Sequence, residues 1–155
     1  MLNLKISENG IKLLEISEGI RYSAYKDGNG NWTTGIGHLI SPNEQYLINK
    51  KLSNDEVNAI FQKDIQFVEN WINSYCIWKP PIIQQEFDSL CDFLFQYNID
   101  LEDYANTKKI IISGNRDLIL KQLLCFVNEK KGSGDNLLLS RREREISLFK
   151  NGSWS

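Results

Sequence analysis

Cysteine, histidine and long apolar runs are scarce in this chain, and each scarcity removes a class of function. The three cysteines, Cys76, Cys91 and Cys125, are odd in number and widely spaced. They form no C-x-x-C pair, so they read as reduced, mostly buried packing thiols and not as a disulfide framework, redox pair or zinc site. The one histidine, His38, stands alone, and a lone imidazole more often serves structure than catalysis or metal binding. No apolar run approaches the ~20 residues that span a bilayer, and Met1-Leu-Asn-Leu-Lys has no signal-peptide pattern. The expectation is a protein made in the cytoplasm with no stable membrane insertion. No internal repeat or low-complexity tract is present.

Cofactor motifs are missing too. Gly28, Gly30, Gly35 and Gly37 make neither a G-x-G-x-x-G nor a Gly-Lys-Ser/Thr spacing. Asp27-x-Asn29-x-Asn31 begins like a calcium loop, but Trp32 and His38 stand where an EF-hand needs glycine and glutamate. Neither a metal nor an organic cofactor is expected.

What the chain does have is enough apolar substance for one enzyme. With 155 residues and a hydrophobic fraction of 41%, it suits a folding unit that buries about two thirds of its surface. Charge is uneven behind the net of −2: residues 1–52 carry +1, residues 53–105 carry −8 and residues 106–155 carry +5. The basic final segment suits an anionic polysaccharide, although solvated helix faces explain it equally. The pI of about 5.5 and the lack of basic-aromatic interleaving argue against nucleic acid.

The densest chemistry lies between residues 18 and 39. Ile11, Leu14 and, less regularly, Leu13 and Ile16 give a helical stripe, with Ser7 or Asn9 as its cap. Gly19 stops that helix, which leaves Glu18 among the last carbonyls, a setting that suits a group required to carry a proton. Tyr22, Ala24 and Lys26 alternate with more polar positions, and 31–34 form a second extended run. Asp27-Gly28-Asn29-Gly30 between them signals a hairpin turn. Asp27 is thus expected exposed and ionised, with Thr33 on the returning strand able to share a water with it. Two carboxyl groups in different settings are what glycosidic-bond hydrolysis requires, one to protonate the leaving oxygen and one to direct a water. Singly, each has a plainer reading: a solvated helix end for Glu18, and backbone capping of a turn for Asp27.

Taken together, Glu18-x8-Asp27-x5-Thr33 with Thr34-Gly-Ile-Gly-His38-Leu39 resembles the signature of the phage-type lysozymes, glycoside hydrolase family 24. Gln85 through Phe95-Gln-Tyr-Asn98 and Ser140-Arg-Arg-Glu143 through Trp154 are similar to later segments of that family. The resemblance implies an α+β, mostly helical, two-lobe fold: an N-terminal lobe at about 1–52 with a small β-hairpin sheet, an interlobe helix at about 53–76, and a helical C-terminal lobe at about 80–155. It implies a muramidase that hydrolyses the β-1,4 bond between N-acetylmuramic acid and N-acetylglucosamine in peptidoglycan. Glu18 would be the general acid, and Asp27 and Thr33 would position the attacking water. His38 would be structural, with Asp64 as its partner, and Leu39, Phe95, Thr107 and Gln122 would line the sugar site. Implied partners are bacterial peptidoglycan and a holin or secretion system for delivery to the wall or periplasm, with the enzyme acting as a monomer. Alternatives on the same fold are a lytic transglycosylase, a wall-targeting interbacterial toxin or a non-catalytic wall-binding protein.

The remaining pattern is helical. Ser53-Asn-Asp-Glu56 is a capping box, followed at helical spacing by Val57, Ile60, Phe61, Ile65, Val68, Trp71 and Ile72. Further helices are expected at 84–98, 107–113, 116–129 and 137–149, with a loop at 131–135.

Overall fold

The computed structural model describes residues 3–97, 104–127 and 137–154. The chain is mostly helical with one small antiparallel sheet. Its elements are α1 (Glu8–Glu18), β1 (Arg21–Lys26), β2 (Trp32–Gly35), β3 (His38–Leu39), a 3-10 helix (Pro42–Leu47), α2 (Asn54–Tyr75), α3 (Gln84–Gln96), α4 (Ala105–Ser113), α5 (Arg116–Leu123) and α6 (Leu137–Asn151). They form two compact units, one of Leu14–Phe67 and one of Met1–Leu13 with Val68–Ser155.

In the unit Leu14–Phe67 the sheet has the order β1-β2-β3. The expected hairpin is therefore extended by a third, two-residue strand. Tyr25 pairs with Thr33 and Lys26 with Trp32, while Thr33 pairs with Leu39 and Thr34 with His38 on the other side. Directly opposed residues share a face and neighbours alternate, so Tyr25, Thr33 and Leu39 form one row across the sheet. The sheet is tied down where Leu52 N–H donates to Tyr22 O at 2.7 Å and the Tyr22 hydroxyl donates to Asn54 Oδ1 at 2.8 Å. The capping box at the start of α2 is formed in both directions, each bond 3.2 Å. Val57, Phe61 and Ile65 then bury one stripe of α2 with Leu14, Ile36, Leu47 and Leu52.

The other unit is centred on α3, in which Phe87, Leu90, Cys91, Phe93 and Leu94 are buried. Its N-terminal segment is held by side chains. Asn73 pairs with both backbone groups of Leu4, Glu69 accepts from Ile6 N–H, and Asp88 accepts from Ser7 N–H and hydroxyl. Trp78 donates to Ile111 O at 2.9 Å. Charge is buried here: Arg141 donates to Asp92 at 2.8 Å, and Arg142 donates to Glu145 at 2.6 and 2.8 Å and to Gln96 at 2.7 Å.

Several expectations change. Helix α5 ends at Leu123, because Cys125 and Phe126 N–H bond back to Gln122 and Leu123 carbonyls in a tight turn. Cys125 is consequently exposed, while Cys76 and Cys91 are buried; all three are free thiols. Burial pushes the Cys76 thiol up to about 12, which removes it as a nucleophile. Ile16 lies on the exposed side of α1. The expectations for Asn98 and for the 131–135 loop fall outside the described residues. Among those described, no helix is long and apolar enough to cross a membrane.

Candidate active site

Glu18 is the last residue of α1, and Gly19 follows at φ 74°. The left-handed residue stops the helix where the stripe ends and leaves the half-buried Glu18 side chain beside the turn between β2 and β3. Its carboxylate sits on Gly37: a β-carbon there would lie 2.8 Å from Glu18 Oε2. The β2–β3 turn needs positive φ at Gly35 (61°) and Gly37 (60°), so the Gly-Ile-Gly spacing is a backbone requirement as well as an approach path for the acid.

Asp27 opens the hairpin turn and is half-buried, where full exposure was expected. Its Oδ1 accepts from the amides of Asn29 and Asn31, both at 2.9 Å, and its own N–H donates to Asn31 O at 2.9 Å. The plainer reading of Asp27 as a turn cap is thus satisfied by one oxygen. Oδ2 has no hydrogen bond among the described residues. Thr33 is 6% exposed, and its hydroxyl donates to Asn31 O across a long 3.4 Å. Asn31 therefore joins the two, with its N–H on Asp27 and its carbonyl toward Thr33. Asp27 lies two residues beyond Tyr25, which alternation places on the face of Thr33 and Leu39.

His38 follows Gly37 and is gripped from both sides. Nδ1 is 2.7 Å from Asp64 Oδ2 on α2, and Nε2 is 3.0 Å from Glu44 Oε1. The Asp64 hydrogen bond, against an opposing cost of burial and with help from Glu44, raises His38 above the usual histidine range. Burial works against ionisation of Glu44, but bonds from Ser41 and His38 outweigh it and hold that carboxyl below its usual range. Glu44 was missed in the sequence. The available signal was the Ser41-x-x-Glu44 spacing, since Glu44 reaches back to Ser41 N–H at 3.1 Å and hydroxyl at 2.9 Å. A cavity of about 300 Å3 opens on this side of His38, lined by Tyr46, Ile60, Lys63 and Phe67 among others. Glu18, Asp27 and Thr33 are not among its walls. No cluster able to hold a metal ion occurs among the described residues.

Of the expected sugar-lining residues, Leu39 is 57% exposed beside Thr33. Phe95, Thr107 and Gln122 belong to the other unit. There Gln122 Nε2 donates to Thr107 Oγ1 at 2.8 Å, so the structure brings these two together, with Thr107 buried and Phe95 half-buried near the end of α3.

Comparison with known proteins gives the family and the fold. A family model described as phage lysozyme matches residues 15–145, and the chain belongs to that family, making it a peptidoglycan-lytic glycoside hydrolase. The endolysin of Salmonella phage P22 is 30% identical over 152 residues, spanning 94% of this chain and 98% of its relative. The muramidase domain of SpmX from Asticaccaulis excentricus superposes with a TM-score of 0.75 at 25% identity, covering 94% of this chain and 97% of that one. An endolysin from Escherichia coli O157:H7 phage FAHEc1 shares the fold with a TM-score of 0.80 at 20% identity, over 99% of this chain and 98% of that one.

Proposed function

We propose that the enzyme is a muramidase that hydrolyses the β-1,4 bond between N-acetylmuramic acid and N-acetylglucosamine, with inversion. The observation that carries this is the arrangement of two carboxyl groups in unlike settings within one unit. Glu18 is at a helix end against Gly37, and Asp27 is fixed by two amides on a single oxygen. In this reading Glu18 holds a proton and gives it to the glycosidic oxygen as the bond breaks. Asp27, through its second oxygen, and the Thr33 hydroxyl orient a water that attacks the opposite face of the sugar and leaves its proton on Asp27. Leu39, Phe95, Thr107 and Gln122 are proposed to contact the glycan, and His38 to serve structure.

Glu18→Gln is the direct test. It keeps shape and hydrogen-bonding capacity but cannot donate the proton, so peptidoglycan turnover should fall by about three orders of magnitude or more with binding retained. Undiminished lysis by this variant would point to a wall-binding protein. A lytic transglycosylase is disfavoured by Asp27 and Thr33, since intramolecular attack needs no directed water; anhydro-muramyl products in place of new reducing ends would reverse that judgement. Delivery by a holin or a secretion system, action in the wall or periplasm as a monomer, and a lysis or interbacterial role complete the proposal. Neighbouring genes test the last point, a holin gene favouring lysis and an immunity gene a toxin.

A further inference from the structure

The strand that carries Asp27 at its end also carries a cation whose chemistry the hydrolysis above does not use. Arg21 pairs with Gly35 and Tyr25 with Thr33, and the register shifts between the two pairs. Three residues on β1 therefore face one on β2, an irregularity that bends a strand and re-aims its side chains. The result is that the Arg21 guanidinium lies over the Tyr25 ring, 4.8 Å from its centroid. Tyr25 is in the row with Thr33 and Leu39, so the cation over its ring belongs to the sheet face of Asp27 and Thr33. A cation–π contact of this kind takes up none of the guanidinium N–H groups in a hydrogen bond and leaves its fork available. Arg21 is exposed, and its side chain makes no hydrogen bond or ion pair among the described residues.

A held but uncommitted fork is built for a planar anion, and a carboxylate matches it with two parallel bonds. Because the ring already restricts the side chain, less freedom is lost when that bond forms. In a muramyl glycan the sugar backbone is neutral, and the acids lie on its substituents. Resting on the muramidase reading, we infer that Arg21 is a specificity-determining residue that holds a carboxylate of the glycan, either the lactyl acid of a muramic unit or an acid of its peptide stem.

The fold supplies its own control. Lys26 pairs with Trp32 and places its ammonium 5.4 Å from that ring's centroid. It is the neighbour of Tyr25, so it lies on the opposite face. The two exposed cations have similar aromatic settings and differ in the side of the sheet they occupy.

The test is a binding cycle in the Glu18→Gln background, where turnover is stopped. Calorimetric titration would use soluble stem-free strands with free lactyl carboxylates, stem-bearing fragments, and both after chemical amidation of their acids. Arg21→Gln should weaken binding of a carboxylate-bearing ligand on the order of tenfold, as loss of a charged hydrogen bond does, and leave the amidated ligands unaffected. Loss on stem-free strands assigns the lactyl acid, and loss confined to stem-bearing fragments assigns the stem. Arg21→Lys should fall between the two, and Lys26→Gln should change affinity less than about twofold. Equal losses on charged and amidated ligands, equal losses for the Arg21 and Lys26 variants, or no loss at all would overturn the assignment while leaving the muramidase reading intact. If the Glu18→Gln protein with its native Arg21 bound none of these glycans, the muramidase reading would fall and this inference with it.

Discussion

The carboxylate of Glu18 rests on the α-carbon of Gly37, where an added β-carbon would stand 2.8 Å from Oε2 and 3.1 Å from Cδ. Glycine is needed there twice over, since φ is also 60°, a region that costs an L-residue about 1–2 kcal/mol. Gly37→Ala should therefore lower stability by that amount and also push the acid aside. A displacement near 1 Å costs roughly a hundredfold in rate. Gly35 separates the two effects. Its φ is 61°, yet a β-carbon there would meet nothing nearer than Leu52 and Val57 side chains at 4.0 Å. Gly35→Ala and Gly37→Ala should show similar losses in Tm but unequal kcat/KM, with only the second losing most of its activity. Equal activities would show that the contact with Gly37 does not position the acid.

Asp27 caps its turn through one oxygen, the proposed mechanism gives the other a chemical duty, and substitution can part the two. Asparagine keeps an Oδ1 that accepts from Asn29 and Asn31, so Asp27→Asn should lose less than about 1 kcal/mol of stability. It removes the charge that takes the water's proton, so turnover should fall by about 10²–10⁴. Asp27→Ala deletes the turn bonds as well and should be the less stable of the two. Paired measurements of Tm and kcat/KM decide it; near-native turnover in Asp27→Asn would mean that another group directs the water.

The helix end and hairpin that carry the proposed site were legible because they are local. Gly19 ends α1, Asp27-Gly-Asn-Gly turns the chain, and alternation sets the faces, all within about twenty residues of sequence. Strand β3 was not legible, because two residues, His38 and Leu39, have no period to read and become a strand only by pairing with β2. Glu44 was hidden for a related reason: the Ser41-x-x-Glu44 spacing announces a cap, but only the folded turn brings both of its oxygens to His38. Asp64 came from family likeness and not from spacing, being 26 residues away. The end of α5 was misjudged because Phe126 continues an apolar pattern while its ring is claimed by Phe93 and Tyr97, at 5.0 and 4.8 Å. Tertiary packing overrides local propensity at such a point.

Arg142 and Glu145 make a costly pair to divide. Both are fully buried, and burial, ahead of the neighbouring Asp92, pushes the Glu145 carboxyl well above its usual range while Arg142 opposes that rise. Arg142→Met would leave the buried Glu145 with only the more distant Arg141, at 3.7 Å, and should destabilise by about 3–5 kcal/mol. Adding Glu145→Gln removes the buried acid and should recover part of the loss. Urea unfolding of the single and double variants measures this; a double variant as unstable as the sum of the singles would show that the two groups do not act as a pair.

His38 gives stability a dependence on pH whose sign can be worked out. Held between Asp64 and Glu44, it binds its proton more tightly folded than unfolded. The stabilisation is complete below the unfolded histidine value of about 6.5 and is lost as pH rises through the higher folded value. Glu44 runs the other way. Its folded value is lowered, so its contribution is present above the unfolded glutamate value of about 4.3 and lost as pH falls through the folded one. The two together should favour a weakly acidic optimum of Tm. His38→Asn should cost about 2 kcal/mol at pH 5.5, the scale of a hydrogen bond to a charged partner reduced by partial solvent access, and progressively less toward pH 8. Glu44→Gln should retain the alkaline decline but begin it at lower pH, because Asp64 alone would then hold the proton. Thermal melts of the three proteins from pH 4 to pH 9 carry the test, and parallel Tm curves for the native and His38→Asn proteins above pH 6 would exclude the clamp as the source of the alkaline decline.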